Sequence, residues 1–140
     1  MDVEKQIEAL NEALALQQRS VLQYAITSGS IVGLEFQAHA DKLHGFAMAE
    51  LEDAIRLVEK VTALGGDPVT AAKQPDWEGD PRKALDRLIE SESETLETMQ
   101  AAIEPTGREA ASEAIEHRLE HMIMRKQEQV DYLMRAARRP

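Results

Sequence analysis

Apolar residues recur at helical spacing along four segments of this chain, and each segment has one polar residue near the centre of its apolar face. The segments run from about residue 2 to 31, from about 34 to 64, from 80 to just before Pro105, and from there to about 138. This spacing is typical of amphipathic helices, so it predicts four long helices. The central polar residues, in chain order, are Gln17, Glu50, Glu92 and Lys126.

Local sequence signals support the ends of these helices. Gly65 and Gly66 are stop signals after the second helix. Asp80 followed by Pro81 is a typical N-cap with proline at the first helical position. Three arginines lie near the C-terminal end of the fourth helix, where they would stabilise the negative end of the helix dipole. They are Arg135, Arg138 and Arg139.

The beginning of the fourth helix has two interpretations. The spacing of Thr106 and Glu109 matches a capping box, which would bring a residue outside the apolar stripe level with Glu92. The apolar stripe instead requires Lys126 to lie level with Glu92. We favour the second interpretation, and we therefore predict a looser turn over residues 105–111.

The lengths of the connections predict the topology. The first and third connections are short, which makes each pair of flanking helices an antiparallel hairpin. The connection over residues 66–79 can span roughly 45 Å when extended, about the length of a 30-residue helix. We therefore predict an all-α, up-down-down-up four-helix bundle with a long crossover between helices 2 and 3, in a single domain over residues 1–140. We expect Trp77 to pack this crossover onto the bundle surface.

Composition narrows the class of protein. Aromatic residues make up 4% of the chain and cysteine is absent, which favours helix over sheet and excludes disulfides and thiolate metal sites. The formal net charge of −10 argues against nucleic acid as a partner and suits a protein that attracts cations. The sequence shows no signal-peptide pattern and no apolar run near the roughly 18 residues of a membrane span. We therefore expect a soluble, cytoplasmic protein with no membrane partner.

The polar interruptions are predicted to meet in the bundle core. Gln17 and Glu50 are almost equidistant from the first turn, so they should face each other at one height. Asp53 follows Glu50 by three residues and Gln129 follows Lys126 by three, so each pair can reach one point from the same side of its helix. Pairs of this kind on two helices, with one carboxylate from each of the others, hold two iron or manganese ions in helix bundles.

An ion-pair network is the alternative to a metal site. A charged group in an apolar stripe is costly unless it is paired or bound to a metal. Lys126 could form a buried triad with Glu50 and Glu92 that fixes the register of the helices. Gln17 and Gln129 could complete the hydrogen bonds without adding charge. At this point a structural network and a weakened or single-metal site both stay open.

Three segments of the chain resemble the bacterioferritin type within the ferritin-like superfamily. They are Leu10-Asn11 through Gln17 to Gln23-Tyr24, then Leu64-Gly65-Gly66-Asp67-Pro68, and finally Asp131-Tyr132-Leu133. The resemblance covers nearly the whole chain. It implies the ferritin-like form of the four-helix bundle, with iron or another divalent metal handled in the core.

The resemblance also assigns roles to the core residues. Glu50 and Glu92 match glutamate ligands of the family, and Asp53 stands in place of a histidine ligand. Three other positions depart from the family. Gln17 and Lys126 each stand in place of a glutamate, and Gln129 stands in place of a histidine. The fixed positive charge of the lysine would repel a pair of dications. The sequence therefore argues against full ferroxidase activity.

The working hypothesis is a protein that binds iron or another divalent metal, as one ion or none, through an altered site in the bundle core. Its ligands would be Glu50, Glu92 and Asp53, with weaker contributions from Gln17 and Gln129. Lys126 would limit the site to one ion or act as the ion's substitute. The alternative is a metal-free structural or interaction protein of the same fold. The haem-ligand methionine of the family falls at Leu51, so we expect no haem.

Three residues outside this set have a functional interpretation beside a structural one. Tyr24 should lie near the site, either as a core tyrosine with a satisfied hydroxyl or as a radical or electron donor. His117 and His121 are i, i+4 neighbours that could share a surface Zn²⁺ ion. Their polar surroundings favour a solvated acidic face instead.

A second apolar strip lies beside the core stripe of the second helix and consists of Met48, Leu51, Ile55 and Val58. A wide apolar stripe is often part of the core. This strip would also suit helix packing between two copies of the chain. We therefore predict a homodimer or a higher homo-oligomer.

Overall fold

Over residues 1–138, which the computed structural model describes, the chain forms four long helices and no strand. They are α1 (Val3–Ser30), α2 (Gln37–Ala63), α3 (Pro81–Ile103) and α4 (Ala110–Ala137). A short 3₁₀ helix, Leu34–Phe36, leads into α2. The predicted number of helices and their approximate ends are confirmed. None of the helices in these residues is long and apolar enough to cross a membrane.

The cap that begins α3 and the glycine that follows α2 lie where the sequence predicted. Asp80 Oδ1 accepts hydrogen bonds from the backbone amides two and three residues later, and Pro81 is the first residue of α3. Gly65 follows α2 with a φ of +84°, a left-handed conformation that favours glycine. Three arginines were predicted at the end of α4. Arg135 is in its last turn and Arg138 is its C-cap residue. Arg139 lies outside the described residues.

The turn between α3 and α4 is looser than a capping box would make it, as predicted. Thr106 Oγ1 donates a hydrogen bond of 2.7 Å to a carbonyl oxygen at the end of α3, so it closes α3 and does not cap α4. The N-cap residue of α4 is Glu109, whose side chain makes no capping hydrogen bond, and the helix begins at Ala110. This later beginning brings Lys126 level with Glu92.

Residues 64–80 cross the length of the bundle along α1 and give it the up-down-down-up topology. Amide side chains of α1 hold this crossover by its backbone. Asn11 donates to and accepts from the backbone of residues 67–69, over 3.0 and 2.9 Å. Gln23 donates to the carbonyl of Asp76 at 2.5 Å and accepts from its amide at 2.8 Å.

The expectation that Trp77 packs the crossover onto the bundle is wrong, because 69% of this residue is exposed. The side-chain amides of α1 hold the segment instead. A backbone hydrogen bond from the Lys73 amide to the Ala15 carbonyl, 3.1 Å long, adds a further anchor between them. A crossover held by its backbone does not need an aromatic side chain as its anchor.

The core consists of two apolar clusters, one toward each end of the bundle, and each cluster receives side chains from all four helices. Leu10 and Leu57 belong to the first cluster. Leu43 and Leu133 belong to the second. A buried aliphatic side chain stabilises a fold by roughly 1.5–3 kcal/mol, so these clusters supply most of the driving force. Between them lies a layer of buried polar residues.

Candidate functional site

Lys126 extends from α4 into the centre of this polar layer, where its ammonium group has three acceptors. The Nζ atom lies 2.8 Å from Glu50 Oε2, 2.5 Å from Glu92 Oε2 and 3.3 Å from Ser20 Oγ. An ammonium group has three N–H donors, so each one has an acceptor here. The side chains of Lys126, Glu50 and Glu92 are at most 1% exposed. We refer to these three residues as the triad.

Gln17 faces Glu50 at one height, as the sequence predicted. Its Nε2 atom donates to the carbonyl oxygen of Glu50 at 3.0 Å and also to the Glu50 carboxylate. The amide is neutral, so it adds hydrogen bonds to the triad without adding charge. Its Oε1 atom is buried and has no hydrogen-bond partner among the described residues.

Ser20 belongs to the polar layer, and the sequence interpretation missed it. Its Oγ atom is buried, donates to Glu92 Oε1 at 2.6 Å and accepts from Lys126. One carboxylate oxygen of Glu92 therefore contacts Ser20, and the other contacts Lys126. Ser20 follows Gln17 by three residues, which is the spacing that pointed to Asp53. The same rule, applied to α1, would have found it.

The charges of the triad are coupled. Burial raises the pKa of Glu50 to about 7, an effect that Lys126 opposes and Glu92 increases. Burial lowers the pKa of Lys126, but the carboxylates of Glu92 and Glu50 outweigh burial and raise that pKa above its ordinary value. Lys126 is therefore cationic at neutral pH. With both carboxylates ionised the triad has one net negative charge, and a proton on Glu50 removes it.

Asp53 and Gln129 are buried beside the triad but do not join it. Asp53 pairs with Arg125, whose guanidinium group comes from a side chain that is 42% exposed. Burial raises the pKa of Asp53, and Arg125 opposes that effect. The expectation that Gln129 completes the hydrogen bonds of the triad is wrong, because the described hydrogen-bond partners of the triad are Gln17 and Ser20. Within residues 1–138, Gln129 Oε1 has no hydrogen-bond partner.

Tyr24 is fully buried at the edge of the polar layer, and its ring packs edge-on against Phe46 with centroids 5.5 Å apart. Burial raises the pKa of Tyr24 well above its ordinary value, and the carboxylates of Glu92 and Glu50 raise it further. The hydroxyl therefore keeps its proton. The carboxylate of Glu92 acts on Tyr24 both through its charge and as a hydrogen-bond acceptor for the hydroxyl, in keeping with the expected core tyrosine.

His117 and His121 lie on the exposed surface of α4. The ring of His117 is within 3.8 Å of Glu113 and 3.7 Å of Glu120. In the part of the chain that the structure describes, no group of three or more His, Asp or Glu side chains is arranged to hold a metal ion. The contacts of His117 are those of a solvated acidic face.

The second apolar strip of α2 lies at the surface. The exposed fraction is 55% for Met48, 43% for Leu51 and 45% for Ile55, while Val58 is half-buried. With apolar side chains of α1, the last three residues line a groove of about 430 Å³, which we call the apolar groove. Most of the strip is therefore outside the core of the single chain.

Comparisons with known proteins agree on one family. Residues 7–137 match the sequence model of the ferritin-like domain. The chain is 26% identical to a structure described as ferritin-like, diiron-carboxylate proteins from Bacillus anthracis, with a TM-score of 0.91 over 99% of both chains. A comparison with curated proteins gave no match.

Two further structures share the fold at lower identity. Bacterioferritin from Rhodobacter capsulatus, described with a metal-free dinuclear site and haem iron, is 21% identical with a TM-score of 0.86. The bacterioferritin-related protein from Bacteroides fragilis, described as a dodecameric thioferritin, is 18% identical with a TM-score of 0.85. Each comparison covers 96% of this chain and 84% of the other. At these identities the similarity shows the fold alone.

An up-down-down-up bundle with charged side chains at its centre is the ferritin-like class of protein. Because the family model matches nearly the whole chain, this protein belongs to the ferritin-like domain family. The superfamily and the all-α fold predicted from the sequence are therefore confirmed.

Proposed function

We propose that this protein is a metal-free structural or interaction member of the ferritin-like family, in which the ammonium group of Lys126 replaces the metal. One observation carries the proposal. The buried ammonium lies within hydrogen-bond distance of Glu50 and Glu92, the two carboxylates that match the family's ligands. Two buried carboxylates stay ionised side by side only with a compensating cation. Here the chain itself supplies that cation.

The side chains around the triad do not fit two iron ions. Dinuclear sites in such bundles use carboxylates from all four helices together with two histidines. In this chain Gln17 and Gln129 are neutral, and Asp53 is paired with Arg125. Lys126 adds a positive charge at the centre. Too few anionic ligands are left for two dications, and we assign no iron-dependent step to this protein.

Lys126→Glu tests whether the lysine substitutes for a metal ion. The change adds a carboxylate where the ammonium was, so the melting temperature should fall without metal and rise again with Mn²⁺ or anaerobic Fe²⁺. Lys83→Glu is the matched control, because it makes the same charge change at an exposed position. Neither the control nor the wild type should respond to metal. A metal-dependent rise in the wild type would contradict the proposal.

A site for a single divalent ion is the second candidate function. It is favoured by the convergence of Glu50 and Glu92 on one point, which the ammonium of Lys126 occupies. If the lysine side chain moved away, two carboxylates and Ser20 would offer the oxygen ligands that hard cations prefer. The melting experiment separates the two candidates, since a one-ion site requires metal to stabilise the wild type.

We further propose that the chain assembles with a second copy, which would give the metal-free protein a role as a structural component. The apolar groove exposes side chains such as Leu51, and burial of such a patch favours association. The relative from Bacteroides fragilis is described as dodecameric. Leu51→Glu should reduce the mass measured by light scattering, whereas Leu34→Glu, at a residue that is 92% exposed outside the groove, should not. An unchanged mass in Leu51→Glu would contradict assembly through this groove.

A further inference from the structure

A second groove, of about 310 Å³, lies between α2 and α4 and is lined by three cationic side chains, Lys42, Arg125 and Arg135, and by one carboxylate, Glu128. We call it the cationic groove. Its local charge is opposite in sign to the formal net charge of −10 of the whole chain. We propose that the cationic groove binds inorganic phosphate, which as hydrogen phosphate carries a proton at neutral pH. The inference does not depend on whether the triad excludes metal.

Two of the cations are available to a ligand. Neither Lys42 nor Arg135 forms an ion pair within residues 1–138. Lys42 Nζ lies over the rings of Phe46 and Tyr132, 5.6 and 5.5 Å from their centroids. These cation–π contacts hold the ammonium at the groove without neutralising it. The planar guanidinium of Arg135 suits two hydrogen bonds to one phosphate group.

An unpartnered buried polar atom of a groove residue points to a ligand. Gln129 lines the groove and is 6% exposed, and its Oε1 atom has no hydrogen-bond partner among the described residues. Buried polar groups are normally hydrogen-bonded. An O–H donor bound in the groove would satisfy this oxygen once the amide turns toward the groove.

Glu128 gives the groove its selectivity. Its carboxylate repels an anion that has only acceptors, such as sulfate at neutral pH. The same carboxylate accepts a hydrogen bond from the O–H group of hydrogen phosphate. The unpaired cations Lys42 and Arg135 favour oxyanions in general, whereas Glu128 and Gln129 favour one that keeps a proton. The groove should therefore distinguish phosphate from sulfate, two ions of similar shape.

Calorimetric titration of the full chain at pH 7 and constant ionic strength tests this proposal. We expect inorganic phosphate to bind about tenfold more tightly than sulfate. The double variant Lys42→Gln/Arg135→Gln should lose about tenfold in phosphate affinity. The control Lys83→Gln/Arg87→Gln makes the same charge change at exposed positions of α3 and should bind phosphate as the wild type does.

Glu128→Gln separates selectivity from affinity, because sulfate should then bind nearly as tightly as phosphate. Thermal melting monitored by circular dichroism verifies that each variant is folded. A parallel titration with glycerol phosphate tests the role of the proton, because a phosphate monoester has a second pKa of about 6 and is mostly unprotonated at pH 7, so it should bind more weakly than inorganic phosphate. Equal affinities for sulfate and phosphate in the wild type, no binding of either, or phosphate binding that survives the double variant would overturn the proposal.

Discussion

The triad and the Asp53–Arg125 pair are neighbouring ionic groups that differ in the exposure of their cation. In the triad all three charged side chains are at most 1% exposed, and the cation lies inside the core. In the pair the Asp53 carboxylate is buried, but the guanidinium belongs to a side chain that is 42% exposed. Water therefore solvates and screens the cation of the pair but not that of the triad.

This difference determines the cost of losing a cation. A buried ion pair adds little net stability, because desolvation offsets the attraction, but removal of one partner leaves an uncompensated buried charge. When the arginine of the pair is lost, water and salt ions from the surface can solvate and screen the Asp53 carboxylate. The buried carboxylates of the polar layer are thus paired with cations in two ways, and the triad should be the more sensitive of the two to loss of its cation.

Lys126→Met should cause the largest loss of stability. It leaves Glu50 and Glu92 buried without a counter-ion, which we expect to lower the free energy of unfolding by about 3–5 kcal/mol. Urea denaturation at pH 7 measures this loss, with Lys83→Met as the exposed control. A loss below about 1 kcal/mol would show that the triad does not need its cation.

Glu50→Gln should change the pH dependence of stability. The pKa of Glu50 is about 7 in the folded chain and 4.5 without the fold, so between these values the folded state binds more protons than the unfolded state. Raising the pH through this window therefore favours unfolding, by about 3 kcal/mol in total. The variant lacks this titration. Its free energy of unfolding relative to the wild type should rise by about 3 kcal/mol from about pH 4 to pH 8. Parallel pH profiles would contradict this account.

Ser20→Ala should have an intermediate effect. It removes the third acceptor of Lys126 and the donor to Glu92 Oε1, both of which are buried. We expect a loss of about 2 kcal/mol in the free energy of unfolding. Ser30→Ala is the matched control, because among residues 1–138 the Ser30 hydroxyl bonds within its own helix, to the Ile26 carbonyl. Equal losses in the two variants would mean that Ser20 does not support the triad.

Arg125→Met should have the smallest effect of the series. Its guanidinium is partly solvated, so its removal should cost about 1 kcal/mol, although Asp53 stays buried. The same urea denaturation measures it beside Lys126→Met. A loss as large as that of Lys126→Met would remove the distinction between an inner and an outer cation.

Most of the fold could be predicted because its determinants are local. The apolar stripes, the Asp80 cap and the length of the crossover indicate four helices and their topology. Trp77 was misplaced because the crossover is held by hydrogen bonds from Asn11 and Gln23 to its backbone. A polar side chain that binds a distant backbone leaves no periodic pattern in the sequence.

The site could be predicted only where a residue interrupts an apolar stripe. Lys126, Glu50 and Glu92 are conspicuous for that reason, and they meet as expected. Ser20 is small and common in helices, so nothing but its spacing marks it. Arg125 has the position of a surface residue, and its contact with the buried aspartate depends on how far its long side chain reaches inward. The direction in which a long side chain extends cannot be derived from spacing along a helix.

Native mass spectrometry of the wild type, after anaerobic incubation with Fe²⁺ and removal of free metal, tests the central claim most directly. The count of metal ions per chain is the measured quantity. We predict a chain mass without iron, because Lys126 already supplies the cation between Glu50 and Glu92. Retention of one or two ions per chain, abolished in Glu50→Gln, would contradict the claim that the lysine has replaced the metal.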